Sequence, residues 1–219
     1  MTFSEKIEDF VINKCGLSQE DVDDFENDGM WLSNAIIKYA YGRRKRRNGD
    51  LYIYHFGRCL SEYTRFVGIM QDIPCSVEIS LLEEKGIPSP YAGIEETLIL
   101  HDIIKDTDVT LDDLQEIFYR YGWQNTFDKT IGKALPILND TSCSTYDEYF
   151  DKINDDKIAA FVKMFDFHDK INLLNYDSVD DETVKYVMRC VEYFKKINDK
   201  WHFLEKICDY FDTAEKNMK

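Results

Sequence analysis

The sequence predicts an all-α protein folded as one compact helical bundle, on three observations. Apolar residues recur at three- and four-residue spacing through almost the whole chain, which is the period of a helix face. No stretch of strict apolar and polar alternation bounded by turn residues is long enough for a strand. Only four prolines and ten glycines interrupt 219 residues, of which 44% are hydrophobic and 32% charged. That composition excludes collagen-like, mucin-like and wholly disordered chains. The length suits a single domain spanning residues 1–219 with one substantial core.

Taken in order, the apolar period marks a helix over 3–14 and a second over 18–27, where Ser18 is followed three residues later by Asp21 in a capping arrangement. Helices are expected next over 30–45 and 56–72, separated by a non-helical stretch from Arg47 to Leu51. A helix over 76–85 ends before GIPSPYAG, residues 86–93, where Pro88 and Pro90 forbid continuation. Residues 94–105 form an apolar helix, and Thr110 opens the next, 111–120, with Asp112 and Asp113 suited to its N-terminal dipole. The remaining helices are expected over 126–138, over 145–174 in two or more pieces, and over 181–197 and 199–214.

Acidic residues outnumber basic ones by 42 to 27, a formal charge of -15. Such a field repels nucleic-acid phosphates and anionic lipid, so neither nucleic acid nor membrane is an expected partner. No run of 18 apolar residues occurs, and MTFSEKIEDF has neither the basic nor the apolar region of a signal peptide, so a cytoplasmic protein is expected. The six cysteines, at 15, 59, 75, 143, 190 and 208, include no C-x-x-C. They are expected to be reduced thiols in apolar surroundings.

Four histidines stand at 55, 101, 168 and 202. His101 and Asp102 leave the apolar segment ETLILHDIIKDTD together, although a lone His-Asp pair is more often part of a core than of a metal site. Their context is supplied by three ordered stretches: GRRKRRNGDLYIYHF at 42–56, LHDIIKDTDVTLDDL at 100–114 and VKMFDFHDKINLL at 162–174. Together these resemble the signature of the HD-domain metal-dependent phosphohydrolases, over about residues 30–195 with helical extensions at both ends. The resemblance is nearest to the guanosine tetraphosphate (ppGpp) hydrolase domain of the Rel/Spo alarmone enzymes and their small stand-alone relatives. In that branch a basic stretch leads into Y-I-x-H, then L-H-D-x-x-E-D-T, then V-K-x-x-D-x-x-x-N.

The resemblance implies a compact HD-domain helical bundle in which His55, His101, Asp102 and Asp166 hold a divalent metal ion. Two imidazole nitrogens and two carboxylates are in any case a reasonable set for an ion such as manganese, with positions left for water and substrate. Asp106, four residues after Asp102, takes the family's second acidic position and is the candidate for orienting or deprotonating the attacking water. Arg46, nine positions before His55, matches a substrate-contacting arginine. Its guanidinium suits a phosphate or a nucleobase, whereas the bland reading of the basic run Arg43–Arg47 is a solvated helix end.

Two departures from the family pattern change charge. Lys105 replaces the first acidic residue after His-Asp, and Lys170 replaces the asparagine of the third motif. Lys105 joins Asp106 as a candidate catalytic residue, its ammonium pairing with Asp106 or with substrate phosphate, and Lys170 joins Arg46 as a candidate substrate-binding residue. The interval from His55 to His101 is longer than in the family, and the loop 86–93 is placed to reshape the cleft. His168 is expected beside the site or at the surface, and His202 as an ordinary helix residue. Asp169 is a partial substitute for lost acidity near the third motif, and Tyr52 and Tyr54 flank the approach to His55. The expected ligand is a nucleotide or other phosphorylated small molecule. The family-suggested reaction is hydrolysis of guanosine 3′,5′-bis(diphosphate) with release of pyrophosphate. The alternatives are another nucleotide or phosphoester, or a non-catalytic nucleotide-binding or interaction module with a degenerate site.

Overall fold

The structure is a computed structural model that describes residues 1–46, 49–71, 92–176 and 178–204, the side chains of 67–71 excepted. The helix expected over 76–85, the loop before residue 92 and Arg47 lie outside the described residues, as do Cys75, Cys208 and all but the start of the 199–214 helix. Among the described residues the fold is all-α, with a single isolated antiparallel bridge between Lys45 and Leu51. No helix of the described residues is long and apolar enough to cross a membrane.

In chain order the helices are α1 Phe3–Asp9, α2 Gln19–Asp23, α3 Gly29–Tyr41, α4 Tyr52–Gln71, α5 Ile94–Leu100, α6 Ile103–Asp106 and α7 Leu111–Arg120. They continue with α8 Gly132–Leu138, α9 Tyr146–Asp155, α10 Lys157–Ile171 and α11 Asp181–Trp201. The expected caps are present. Ser18 and Thr110 each accept with the side chain from the backbone amide three residues on and donate their own amides to the Asp21 and Asp113 carboxylates, which satisfies N-terminal amides that have no intrahelical partner. Asp156 divides the 145–174 stretch, ending α9 and capping α10 through a 2.8 Å bond from the Ala159 amide.

Several boundaries differ from expectation for physical reasons. The first helix widens into a π-helical turn at Phe10–Lys14. α3 stops at Tyr41, because Gly42 turns to φ +51°, a conformation that glycine adopts without steric cost. α4 begins at Tyr52, four residues early, where the Tyr52 ring stacks on Tyr41 at 5.1 Å. α11 runs unbroken to Trp201, and His202, in the left-handed region at φ 54°, is its C-cap rather than a residue within a helix. Cys15 is exposed and Cys143 half-buried, against the expectation of apolar surroundings, whereas Cys59 and Cys190 are buried.

Two apolar clusters form the interior. One gathers Phe3, Ile7, Phe25, Leu32, Ile36, Phe56, Ile103 and Phe118; the other gathers Cys59, Tyr63, Leu98, Phe150, Phe161, Phe165 and Tyr193. α4 and α5 contribute to both. The residues of interest lie along that seam, on α4, at the junction of α5 and α6, and on α10.

Candidate metal centre

α10 is almost wholly buried from Ala159 to Phe167, and its polar members, Lys163, Asp166 and Asp169, are buried with it. Positions 163, 166 and 170 follow the i, i+3, i+7 rule and share one face. His55 enters from the first turn of α4, one residue before Phe56 and one turn before Cys59, all three buried. His101 and Asp102 occupy an interruption: the apolar helix expected over 94–105 is broken there into α5 and α6.

The break is filled by a residue that the sequence did not single out. Asn139 donates its amide to the His101 carbonyl at 2.8 Å and accepts from the Lys105 amide at 3.0 Å. Its side chain thus stands in for the backbone bond that a continuous helix would make between residues 101 and 105. A further bond to the Leu135 carbonyl at 2.8 Å ties Asn139 to α8. The displaced turn lets the His101 Nδ1 donate to the Leu98 carbonyl at 2.7 Å.

His55, His101, Asp102 and Asp166 converge, with one possible ligand atom from each lying within 4.8 Å of all the others. Metal–ligand bonds of about 2.0 to 2.4 Å allow ligand atoms to stand up to about 4.8 Å apart across an ion, so the set has the right span. The hydrogen bonds also fix which atoms face inward. His55 Nδ1 donates to Asp169 Oδ2 at 2.7 Å, and His101 Nδ1 donates to a carbonyl, so in the neutral rings both Nε2 atoms carry lone pairs. These nitrogens face each other at 3.3 Å. Asp166 Oδ1 stands 3.2 Å from one and 3.6 Å from the other, is fully buried and has no hydrogen-bond partner. Asp102 Oδ2 completes the group, 3.4 Å from His101 Nε2. Four electron-pair donors this close together could hold a cation. Burial disfavours charge on His101, yet the Asp102 and Asp166 carboxylates outweigh it and lift its pKa to about 9. A proton therefore fills this role in part, and a metal ion would fill it fully.

The outer oxygens of these carboxylates are not free. Lys163 and Lys170 both reach Asp166 Oδ2, at 2.7 and 2.6 Å, and Lys105 reaches Asp102 Oδ1 at 2.8 Å. Burial pushes the Asp166 carboxyl up, but Lys163 and Lys170 prevail and hold it well below the usual range. Lys163 also lies over the rings of Tyr149 and Phe167, where a desolvated cation is favoured. Lys105 is thus paired with Asp102, not with Asp106. Asp106 ends α6 half-buried, one turn from Asp102, and its carbonyl accepts from Arg44.

Asp169 has a larger part than its acidity suggests. It holds His55, accepts from Arg58 Nε at 2.5 Å, pairs with Arg46 at 3.3 Å and receives the Asn175 amide at 2.9 Å. Burial raises its carboxyl, and His55 and Arg58 more than reverse that effect. Arg46 is carried there by the loop after α3, pinned by a 2.7 Å bond from its own amide to the Asp50 carbonyl, so it is not a solvated helix end. Tyr52 is half-buried under Arg44, while Tyr54 and His168 are exposed. Sequence reasoning missed Asn139, Lys163, Arg58 and the orienting role of Asp169. The V-K of the third motif contains Lys163, a signal to which no role was attached, and nothing local pointed to Asn139.

No family model matches the chain, and no curated protein matches it. The family resemblance therefore rests on the three motifs, and the site stands on its geometry.

Proposed function

We propose that the protein is a metal-dependent phosphohydrolase of the HD type acting on a nucleotide, with guanosine 3′,5′-bis(diphosphate) as the substrate suggested by the motifs. The observation that carries this reading is the convergence of His55, His101, Asp102 and Asp166 with their lone pairs directed inward. A bound divalent ion, manganese for this donor set, would acidify a water and polarise a phosphoryl oxygen. His55 and His101 would present Nε2 to that ion, because their Nδ1–H groups donate hydrogen bonds to Asp169 and the Leu98 carbonyl. Asp106 would accept a proton from the attacking water as the water oxygen bonds to phosphorus. The bond from phosphorus to the ribose 3′ oxygen would break with its electron pair going to that oxygen, which takes up a proton from solvent while Asp106 returns its own to solvent. Arg46 and Lys170 meet the anionic substrate, exchanging their carboxylate partners for phosphoryl oxygens.

Metal analysis of protein purified without chelator, followed by a screen for phosphate and pyrophosphate release over nucleotides, tests this. Asp106→Asn is expected to lower turnover by about 10²–10⁴-fold with metal occupancy unchanged, and Asp102→Asn to lose both. A second reading, a nucleotide-binding module without turnover, is favoured by one observation. Lys105 and Lys170, which depart from the family pattern, both engage candidate ligand carboxylates. Manganese-loaded protein that releases neither product from any nucleotide would overturn the first reading and leave the second in its place.

A further inference from the structure

The carboxylates of the candidate metal centre are already matched by cations from the chain. Asp102 carries one ammonium on its outer oxygen, and Asp166 carries two on a single oxygen. Asp169 faces two guanidiniums, those of Arg46 and Arg58. A divalent ion placed among the inward-facing atoms therefore leaves a positive excess around Asp102 and Asp166, which persists even with Asp106 counted. In a poorly solvated interior such an excess is strongly unfavourable, and an anion from outside the chain would balance it.

The lysines differ in what they can do about it. Lys163 is locked in place, its side chain 3% exposed, whereas those of Lys170 and Lys105 are 12% and 39% exposed. A long flexible side chain that reaches solvent can swing its ammonium from a carboxylate to an arriving anion. That movement would release Asp102 Oδ1 and relieve Asp166 Oδ2, strengthening both carboxylates as metal ligands.

We propose that Lys105 and Lys170 form an anion subsite that couples the two ligands: a phosphate dianion and the metal ion each tighten the binding of the other. This rests on the metal-site reading above and adds a role for Lys170 that a plain substrate contact lacks. In the absence of anion, Lys170 opposes the metal by competing for Asp166, and in its presence Lys170 promotes it. Coupling of this kind is reciprocal by thermodynamic necessity.

Calorimetric titration of manganese into the metal-free 219-residue chain, with and without millimolar inorganic phosphate at matched ionic strength, tests the coupling. Phosphate is expected to tighten manganese binding about tenfold. Lys170→Gln is expected to bind manganese several-fold more tightly than the wild type without phosphate and to gain little when phosphate is added. Lys170→Arg, which keeps the charge, should retain the coupling and guards against a glutamine variant that fails to fold. Equal wild-type affinities with and without phosphate would overturn the coupling and leave the metal site standing. Weaker manganese binding by a folded Lys170→Gln variant would overturn the competition with Asp166. Failure of the wild type to bind manganese under either condition would overturn both this proposal and the phosphohydrolase reading.

Discussion

Asp169, which is not itself a candidate ligand, gathers as many polar partners as Asp166 and holds one candidate ligand, His55, directly. Its two oxygens receive His55, Arg46, Arg58 and Asn175, so one carboxylate sets the tautomer of a candidate ligand imidazole and anchors the loop that presents Arg46. Carboxylates that accept the second nitrogen of a metal-bound histidine raise its basicity and fix its ring. Asp169→Asn is expected to weaken manganese affinity about 10–100-fold, because an amide cannot accept all these donors and lacks the charge that holds His55. The cost in stability is expected to be about 1–3 kcal/mol, the value of hydrogen bonds to a charged group, since the freed guanidiniums can reach solvent. Calorimetry and urea unfolding check the two quantities separately. A stability loss with unchanged manganese affinity would make Asp169 a structural residue only. The carboxylate was legible three positions after Asp166, but its role was not. Residues 55 and 169 stand 114 positions apart, and no local pattern says which imidazole a carboxylate will find.

At the scale of elements, the helices that could be read from the sequence are those whose own residues determine them. The capping pairs of Ser18 with Asp21 and Thr110 with Asp113 are local and appear as expected. The break between α5 and α6 is the opposite case. The segment ETLILHDIIKDTD is apolar and helical in period, and it is interrupted where Asn139, 38 positions from His101, inserts its amide into the ladder. The interruption matters to the site, since it turns His101 and Asp102, adjacent in sequence, toward a common point. Asn139→Ala removes three bonds of a buried amide and leaves the His101 carbonyl and the Lys105 amide without that partner. The expected loss is about 2–3 kcal/mol, together with weaker manganese binding as residues 101–105 relax toward a continuous helix. Urea unfolding and manganese titration of the same variant check both expectations. A variant that loses stability but binds manganese as the wild type does would show that the break forms without Asn139.

At the scale of the whole molecule, the four converging side chains belong to elements that the fold must bring together. His55 stands on α4, His101 and Asp102 at the α5–α6 junction, and Asp166 on α10, along the seam between the two apolar clusters. An unfolded chain holds these side chains far apart, so an ion bound by all four stabilises the folded state alone. At a free concentration of 100 times the dissociation constant the gain is about 2.7 kcal/mol. For a chain of this length that corresponds to a rise in melting temperature of about 5–10 °C. The acidic surface, with its formal charge of -15, complicates the reading, because any divalent ion screens such a surface and can raise the melting temperature without entering a site. Asp166→Asn separates the two effects. It removes one buried charge, leaves the acidic exterior as it was and, with the amide oxygen kept toward Lys163 and Lys170, puts an NH2 group in place of the fully buried oxygen that has no hydrogen-bond partner. The wild type should therefore show a manganese-dependent rise that chelator reverses, and the variant, which starts from a lower melting temperature, should show little or none. Equal shifts in the two proteins, measured by calorimetry at the same ionic strength, would assign the effect to the acidic surface and remove the ion from the seam between the cores.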